Sequence, residues 1–232
     1  MTQYQSGFGP RVVRKIERAD AQTAAALGEL GVATVHEAYR RRGLLHGITA
    51  AVPGTRFAGP AVTCLNYPGD NLMLHAAIEV CRPGDVLVVA VTAPSLHGML
   101  GELVATCCRA RGIVGVVLDS AVRDVDELRA MQYPVFSRGI TAQGTTKAGL
   151  GWVNTPVSCA GAVVFPGDVV IGDSDGVVVV EREAAQETLE AARKRADRER
   201  DVRKKYEEGA LTLDMGTMRD TLAKGRVEYV DD

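Results

Sequence analysis

Aromatic residues are scarce in this chain: they fill 5% of its 232 positions and include a single tryptophan. The core must therefore be assembled from Ala, Val, Leu and Ile, and a 46% hydrophobic content is enough to supply one. Several other features are missing. No apolar run reaches the ~18 residues that argue for a membrane-spanning helix. The polar opening, residues 1–18, has no apolar stretch of signal-peptide type, so a cytoplasmic protein is expected. The formal net charge of −2 gives no electrostatic reason to expect nucleic acid as a partner. The five cysteines (Cys64, Cys81, Cys107, Cys108 and Cys159) form no CxxC pair, and they read as reduced, mostly core-filling thiols rather than zinc ligands. His36, His46, His75 and His97 show no HxxxH or HxH spacing, which excludes the common histidine zinc motifs. GxGxxG after a strand, a Walker loop and GxSxG are all absent, so neither nucleotide binding nor a nucleophile elbow has support.

What is present is an alternation of helix and strand signals. Asp20 can cap a helix over residues 21–30 that Gly31 ends, and a second helix runs from Thr34 until Gly43 stops it. Residues 57–65 read as a strand. Residues 71–81 return to helical spacing, with Leu72, His75, Ala76 and Ile78 placed to share faces. The tripeptide Pro-Gly-Asp occurs twice, at 83–85 and 166–168, each time just before a β-branched apolar run. Pro fixes one turn dihedral, Gly supplies a positive one, and Asp can bond the neighbouring backbone. Further signals predict a helix at 101–111, a strand at 113–118, a helix at 125–131 and a short strand at 134–137. A Gly/Thr-rich loop follows at 139–151, then three strands, at 163–165, 169–171 and 176–180, suited to antiparallel pairing. Residues 181–208 read as a long charged helix, whose bland reading is a solvated face and whose alternative is a helix that packs on a neighbouring subunit, and the tail from 211 on has no clear assignment. The sum is one α/β domain over 1–232. Its core covers about 20–180, and 181–232 is a helical extension suited to packing on a neighbouring subunit.

The chemistry concentrates in residues 101–124, GELVATCCRARGIVGVVLDSAVRD. The helix beginning at Gly101 offers free backbone N–H groups to an anion such as a carboxylate, and Glu102 suits its dipole. Polar residues just past the carboxyl end of a buried strand are where open α/β sheets place ligands, which aims Arg123 and Asp124 at a crevice. Arg can grip a carboxylate bidentately, and Asp and Glu oxygens suit a hard cation. The bland reading of Arg123 and Asp124 is a helix cap and a surface ion pair. His75, on a mostly apolar helix, reads as a core histidine. His97 lies in a loop leading toward Gly101 and carries no assigned role. Lys147 has polar, glycine-rich flanks that would not lower an amine pKa for Schiff-base work, so a carboxylate contact or an ordinary exposed lysine fits it better.

These residues resemble a known family. The acidic Glu102, twenty intervening positions and then Arg123-Asp124 look like the signature of the 4-hydroxy-4-methyl-2-oxoglutarate / 4-carboxy-4-hydroxy-2-oxoadipate aldolases. Their fold family includes the regulator of ribonuclease activity A. Asp70-Asn71, Arg138-Gly139, GTTK at 144–147, VNTPV at 153–157, the second Pro-Gly-Asp and DGVVV at 175–179 follow in order. The family pattern often carries Asp where this chain has Glu102. The resemblance implies a layered α/β/β fold of the swivelling type, assembled as trimers or hexamers with the active site between subunits. It implies Mg²⁺ or Mn²⁺ anchored by Asp124, with help from Glu102 and from Glu199 of a neighbouring subunit. Arg123 would polarise the pyruvate unit, and the amides of Gly101, Glu102, Leu103 and Val104 would hold its carboxylate, while Asn71 and Lys147 would contact substrate. The implied reaction is a retro-aldol cleavage releasing pyruvate, with oxaloacetate decarboxylation alongside, in bacterial breakdown of protocatechuate and gallate. The alternatives are a non-catalytic regulator that binds a ribonuclease, and an enzyme acting mainly on oxaloacetate.

Overall fold

The computed structural model describes residues 9–231. The strands are β1 (Arg11–Val12), β2 (Thr49–Ala50), β3 (Phe57–Asn66), β4 (Val86–Val91), β5 (Gly98–Leu100), β6 (Gly115–Val122), β7 (Val135–Ile140), β8 (Trp152–Val153), β9 (Val157–Cys159), β10 (Ala162–Val164), β11 (Val169–Asp173) and β12 (Gly176–Val180). The helices are α1 (Ala21–Leu30), α2 (Val32–Ala38), α3 (Leu72–Val80), α4 (Glu102–Ala110), α5 (Val125–Met131), α6 (Ala185–Glu207) and α7 (Met218–Lys224). The chain divides into two compact units between Ala192 and Arg193.

In the first unit β3, β4, β6 and β7 lie side by side and parallel. The helices α3, α4 and α5 cross over between them, as parallel pairing requires. Side chains alternate across this sheet. Leu87 and Val89 of β4, with Val116 and Leu118 of β6, pack with α3–α5, whereas Val86, Val88 and Val117 face the other way, toward β9–β12. Burial on both faces explains why these segments read as unbroken apolar runs. The antiparallel pair β11–β12 joins the N-terminal half of β3 and is backed by α1, α2 and the start of α6. The result is the α/β/β layering expected from the sequence. At one edge, β8 lies between β1 and β3, and the Trp152 indole N–H donates to the Gly9 carbonyl (3.1 Å).

Local rules hold in detail. Asp20 caps α1, accepting from the Thr23 N–H at 2.8 Å. In the two Pro-Gly-Asp turns the glycines have φ of 92° and 89°, and each Asp accepts from the backbone N–H three residues earlier, Arg82 at 2.7 Å and Phe165 at 2.9 Å. Four cysteines are buried and Cys107 is exposed, all as free thiols. Desolvation pushes Cys64 and Cys108 up to about 12. Several expectations need correction. Helix α2 ends at Ala38 rather than near Gly43, because Arg40 and Arg41 take positive φ. Strand β6 continues to Val122, so Asp119 lies in a strand and not in a loop. Strand β10 pairs with β9 in a separate two-stranded sheet and takes no part in the β11–β12 pairing. On α3 the core face is Met73, Leu74, Ala77 and Ile78, while Leu72, His75 and Ala76 are only half-buried.

In the second unit α6 continues to Glu207, mostly exposed, with ion pairs Arg195–Glu199 (2.8 Å) and Arg200–Asp197 (3.0 Å). The short α7 follows, and Arg219 in its first turn pairs with Asp214 just before it. No helix among the described residues is long and apolar enough to cross a membrane.

Candidate active site

All four parallel strands run their carboxyl ends to one edge. There the β3–α3, β5–α4 and β6–α5 junctions, together with the loop after β7, enclose a cavity of about 370 Å³. Its walls include Asn71, His75, Gly101, Leu103, Val104, Arg123, Asp124 and Lys147. The size suits a small-molecule site, and the position is where open α/β sheets take their ligands.

Arg123 and Asp124 arrive together because β6 is irregular: its pairing with β7 shifts register between Leu118 and Ala121. A bulge of this kind re-aims side chains at the end of a strand. Asp124 then stands at the N-cap position of α5 in the left-handed region (φ 55°, ψ 44°) and makes no capping bond to that helix. Its Oδ2 instead accepts from the Glu102 backbone N–H (3.1 Å), and its Oδ1 is 3.3 Å from Arg123 Nε. The capping half of the bland reading therefore fails, because a residue type well suited to capping is diverted into the cavity, while its ion pair with Arg123 is present and partly exposed. Backbone strain of this kind concentrates at functional sites. Gly101 makes the approach feasible, since a Cβ there would lie 2.1 Å from Asp124 Oδ2.

Helix α4 begins at this wall with no capping side chain at Gly101, and Leu103 and Val104 of its first turn, where backbone amides lack helical partners, line the cavity. The Leu103 side chain is 81% exposed at the rim. Glu102 behaves differently from the expectation for a metal ligand. Its backbone reaches Asp124, but its carboxylate turns back along α4 and accepts from Thr106 Oγ1 at 2.8 Å. Glu199 belongs to the second unit, where it pairs with Arg195.

Lys147 is held at the cavity by its neighbours. Buried Asp70 accepts from the Leu72 N–H (2.9 Å), Thr146 Oγ1 (2.7 Å) and the Ala148 N–H (2.7 Å), tying the 144–149 loop to the start of α3. Burial opposes the charge on Asp70, but these bonds outweigh it and hold the carboxyl down at about 2. On α3, Asn71 Nδ2 donates to the Met99 carbonyl (2.9 Å), while Asn71 Oδ1 and His75 Nε2 are buried with no partner among the described residues. Burial, and then the Lys147 charge, lower the His75 pKa. The sequence reading of His75 as a core histidine is corrected here: it is a wall of the cavity. Its four-residue spacing from Asn71 was the signal available. His97 is satisfied elsewhere, between Ser95 Oγ and Gln143 Nε2 (both 2.9 Å). A larger cleft, about 810 Å³, opens beside Asp119, but that carboxylate is already paired with Arg138 and the Ala160 N–H.

No three His, Cys, Asp or Glu side chains among the described residues of this one chain come together as a metal cage. The carboxylate at 124 is a single hard oxygen donor in a half-open cavity. That fits a cation such as Mg²⁺, which is bound through one or two carboxylates and keeps several waters.

Comparison with known proteins matches residues 32–179 to the RraA-like family model, described as Aldolase/RraA. The chain belongs to the RraA-like family. A Halalkalibacterium halodurans protein carrying the name "Putative 4-hydroxy-4-methyl-2-oxoglutarate aldolase" is 37% identical over 137 residues, which cover 59% of this chain and 65% of that protein. An uncharacterized Methanocaldococcus jannaschii protein is 36% identical over 109 residues, covering 47% of this chain and 52% of its own length. The matches thus span less than two thirds of both relatives. Among solved structures, Streptomyces coelicolor RraAS2, described as an unusual member of the RNase ES inhibitor RraA protein family, superposes with a TM-score of 0.74. It is 31% identical and covers 82% of this chain and 99% of its own.

Proposed function

We propose that this RraA-like protein is a divalent-metal-dependent aldolase that cleaves a 4-hydroxy-2-oxo polycarboxylic acid, 4-hydroxy-4-methyl-2-oxoglutarate or 4-carboxy-4-hydroxy-2-oxoadipate, and releases pyruvate. The observation that carries the reading is the convergence of Arg123, the strained Asp124 and the open amides of α4 on one small cavity. Cleavage breaks the C3–C4 bond. The C4 hydroxyl gives its proton to a water molecule and C4 becomes a carbonyl, while the electron pair of the broken bond moves toward C2 and leaves the enolate of pyruvate, which then takes a proton from water at C3. The Arg123 guanidinium would bind the ketone oxygen and stabilise the charge that develops there, and the Leu103 and Val104 amides would take the adjacent carboxylate, a reading supported by all three residues lining one cavity. Lys147 adds a second cation for the distal carboxylate. Mg²⁺ or Mn²⁺, held by Asp124 with Glu102 and with Glu199 of a neighbouring copy in a trimer or hexamer, supplies further stabilisation of negative charge. For Glu102 to take part, its carboxylate must leave Thr106. Oxaloacetate decarboxylation passes through the same enolate, and the same groups serve it. Breakdown of protocatechuate- and gallate-type aromatics is the corresponding metabolic role.

The test is pyruvate release from both hydroxy-oxo acids and from oxaloacetate, before and after EDTA and with Mg²⁺ or Mn²⁺ restored. Cleavage that is lost to EDTA and recovered with metal supports the reading. Absence of pyruvate from every substrate would overturn it. The inhibitor description of the Streptomyces relative favours ribonuclease binding as a second reading. Capture of an RNase E-type ribonuclease by a chain without aldolase turnover would select that one.

A further inference from the structure

We propose that His75 is a substrate-contacting, specificity-determining residue of this cavity: with Asn71 it binds the hydroxyl group on the carbon that cleavage converts to a carbonyl. The inference rests on the aldolase reading above and adds a residue to it. Asn71 precedes α3 and His75 lies one turn later, with the His75 N–H donating to the Asn71 carbonyl (3.3 Å). Residues four apart on a helix share a face. Both present a buried polar atom with no partner among the described residues, and both line the same cavity. Buried polar atoms in folded proteins are rarely left unpaired, so two on one wall point to a ligand.

The chemistry of those atoms selects the ligand group. Asn71 spends its NH₂ on the Met99 carbonyl, which can only accept, so the free atom is the amide oxygen and needs a donor. The carboxylates and the ketone of an ionised 2-oxo diacid are all acceptors. Its hydroxyl is the one donor it carries. A hydroxyl that donates to Asn71 Oδ1 keeps oxygen lone pairs, which His75 can meet with an Nε2–H. Burial and the neighbouring Lys147 lower the ring's pKa and so favour its neutral form, which carries one donor and one acceptor. The cavity therefore offers two kinds of group: the cations Arg123 and Lys147 and the neutral α4 amides match the acceptors of the substrate, and Asn71 with His75 matches its hydroxyl.

The test compares two reactions of the full-length, metal-supplemented protein. Cleavage of 4-hydroxy-4-methyl-2-oxoglutarate uses the hydroxyl, whereas oxaloacetate, in its keto form, has none. His75→Ala should lower the ratio of cleavage to decarboxylation kcat/KM by about tenfold or more, since sites built around a hydroxyl discriminate strongly on it. His75→Gln, which keeps a donor, should restore part of the ratio. Thermal melts of both variants report folding. A ratio within twofold of wild type in His75→Ala would overturn the inference while leaving the aldolase reading intact. Should the wild-type protein show neither reaction, the aldolase reading fails, and the hydroxyl contact is judged by ¹⁵N-histidine NMR with malate against succinate, which differ only in the hydroxyl. A His75 Nε2 shift with malate and not succinate supports it. An equal response to both, or none, overturns it.

Discussion

Asp85 and Asp168 at one end of the parallel strands and Asp124 at the other put the same residue type to opposite uses. At the end away from the cavity, Asp85 and Asp168 close the Pro-Gly-Asp turns. Asp85 receives Arg18 through Nε and one Nη (2.7 and 2.8 Å) and the Arg82 N–H, with its side chain 2% exposed. Asp168 receives the Phe165 and Arg182 N–H groups at 2.9 and 3.0 Å. At the cavity end Asp124 has one backbone donor and a long approach to Arg123, in a strained conformation. A carboxylate saturated by its own chain holds the fold. One left undersaturated on a strained backbone remains available to a ligand or cation.

The sharpest way to break this comparison is Asp85→Ala. It leaves the Arg18 guanidinium, itself mostly buried, without its partner, so urea unfolding should show a loss of about 3–5 kcal/mol. A loss below about 1 kcal/mol would mean that the saturated end is not structural. At the other end, Asp124→Ala and Arg123→Ala should each reduce pyruvate release by about 10² or more while leaving the urea midpoint near that of wild type. Near-normal turnover in either variant would discard the site. Gly101→Ala sharpens the contrast further. Its Cβ must displace Asp124 Oδ2, so a roughly tenfold or larger fall in kcat/KM is expected with the fold retained, as read by circular dichroism. The smallest effect concerns Asp70. Its folded pKa, about 2, lies below the ordinary carboxylate value of about 3.9, so its contribution is full above that value and fades as pH falls toward 2. Hydrogen exchange at the Ala148 amide, corrected for the intrinsic rate, should rise about tenfold over that interval in wild type, and Asp70→Ala should show the rise already at neutral pH.

Much of this was legible in the chain itself. The Asp20 cap, the two Pro-Gly-Asp turns, the crossover helices and the cavity position of Arg123 and Asp124 all follow from local chemistry and strand-end topology. What escaped was set by tertiary pairing. Strands β5, β8 and β9 are two or three residues long and exist through their neighbours, not through any periodic signal. The bulge in β6 and the left-handed turn at Asp124 leave no mark in the residue pattern. Nor does the rotation of the Glu102 carboxylate toward Thr106. His75 was misread for a related reason: helical periodicity groups residues by face, but it does not reveal that one face of α3 borders a cavity on its first turn and the core on the next.

The lone indole sits at the seam where residues 9–12 join the sheet, flanked by β1 on one side and β3 on the other. With no second tryptophan to dilute the signal, its fluorescence is a built-in optical gauge of that seam. Peeling of the amino-terminal segment would register in the emission spectrum, with no label attached, even while the rest of the fold stayed intact.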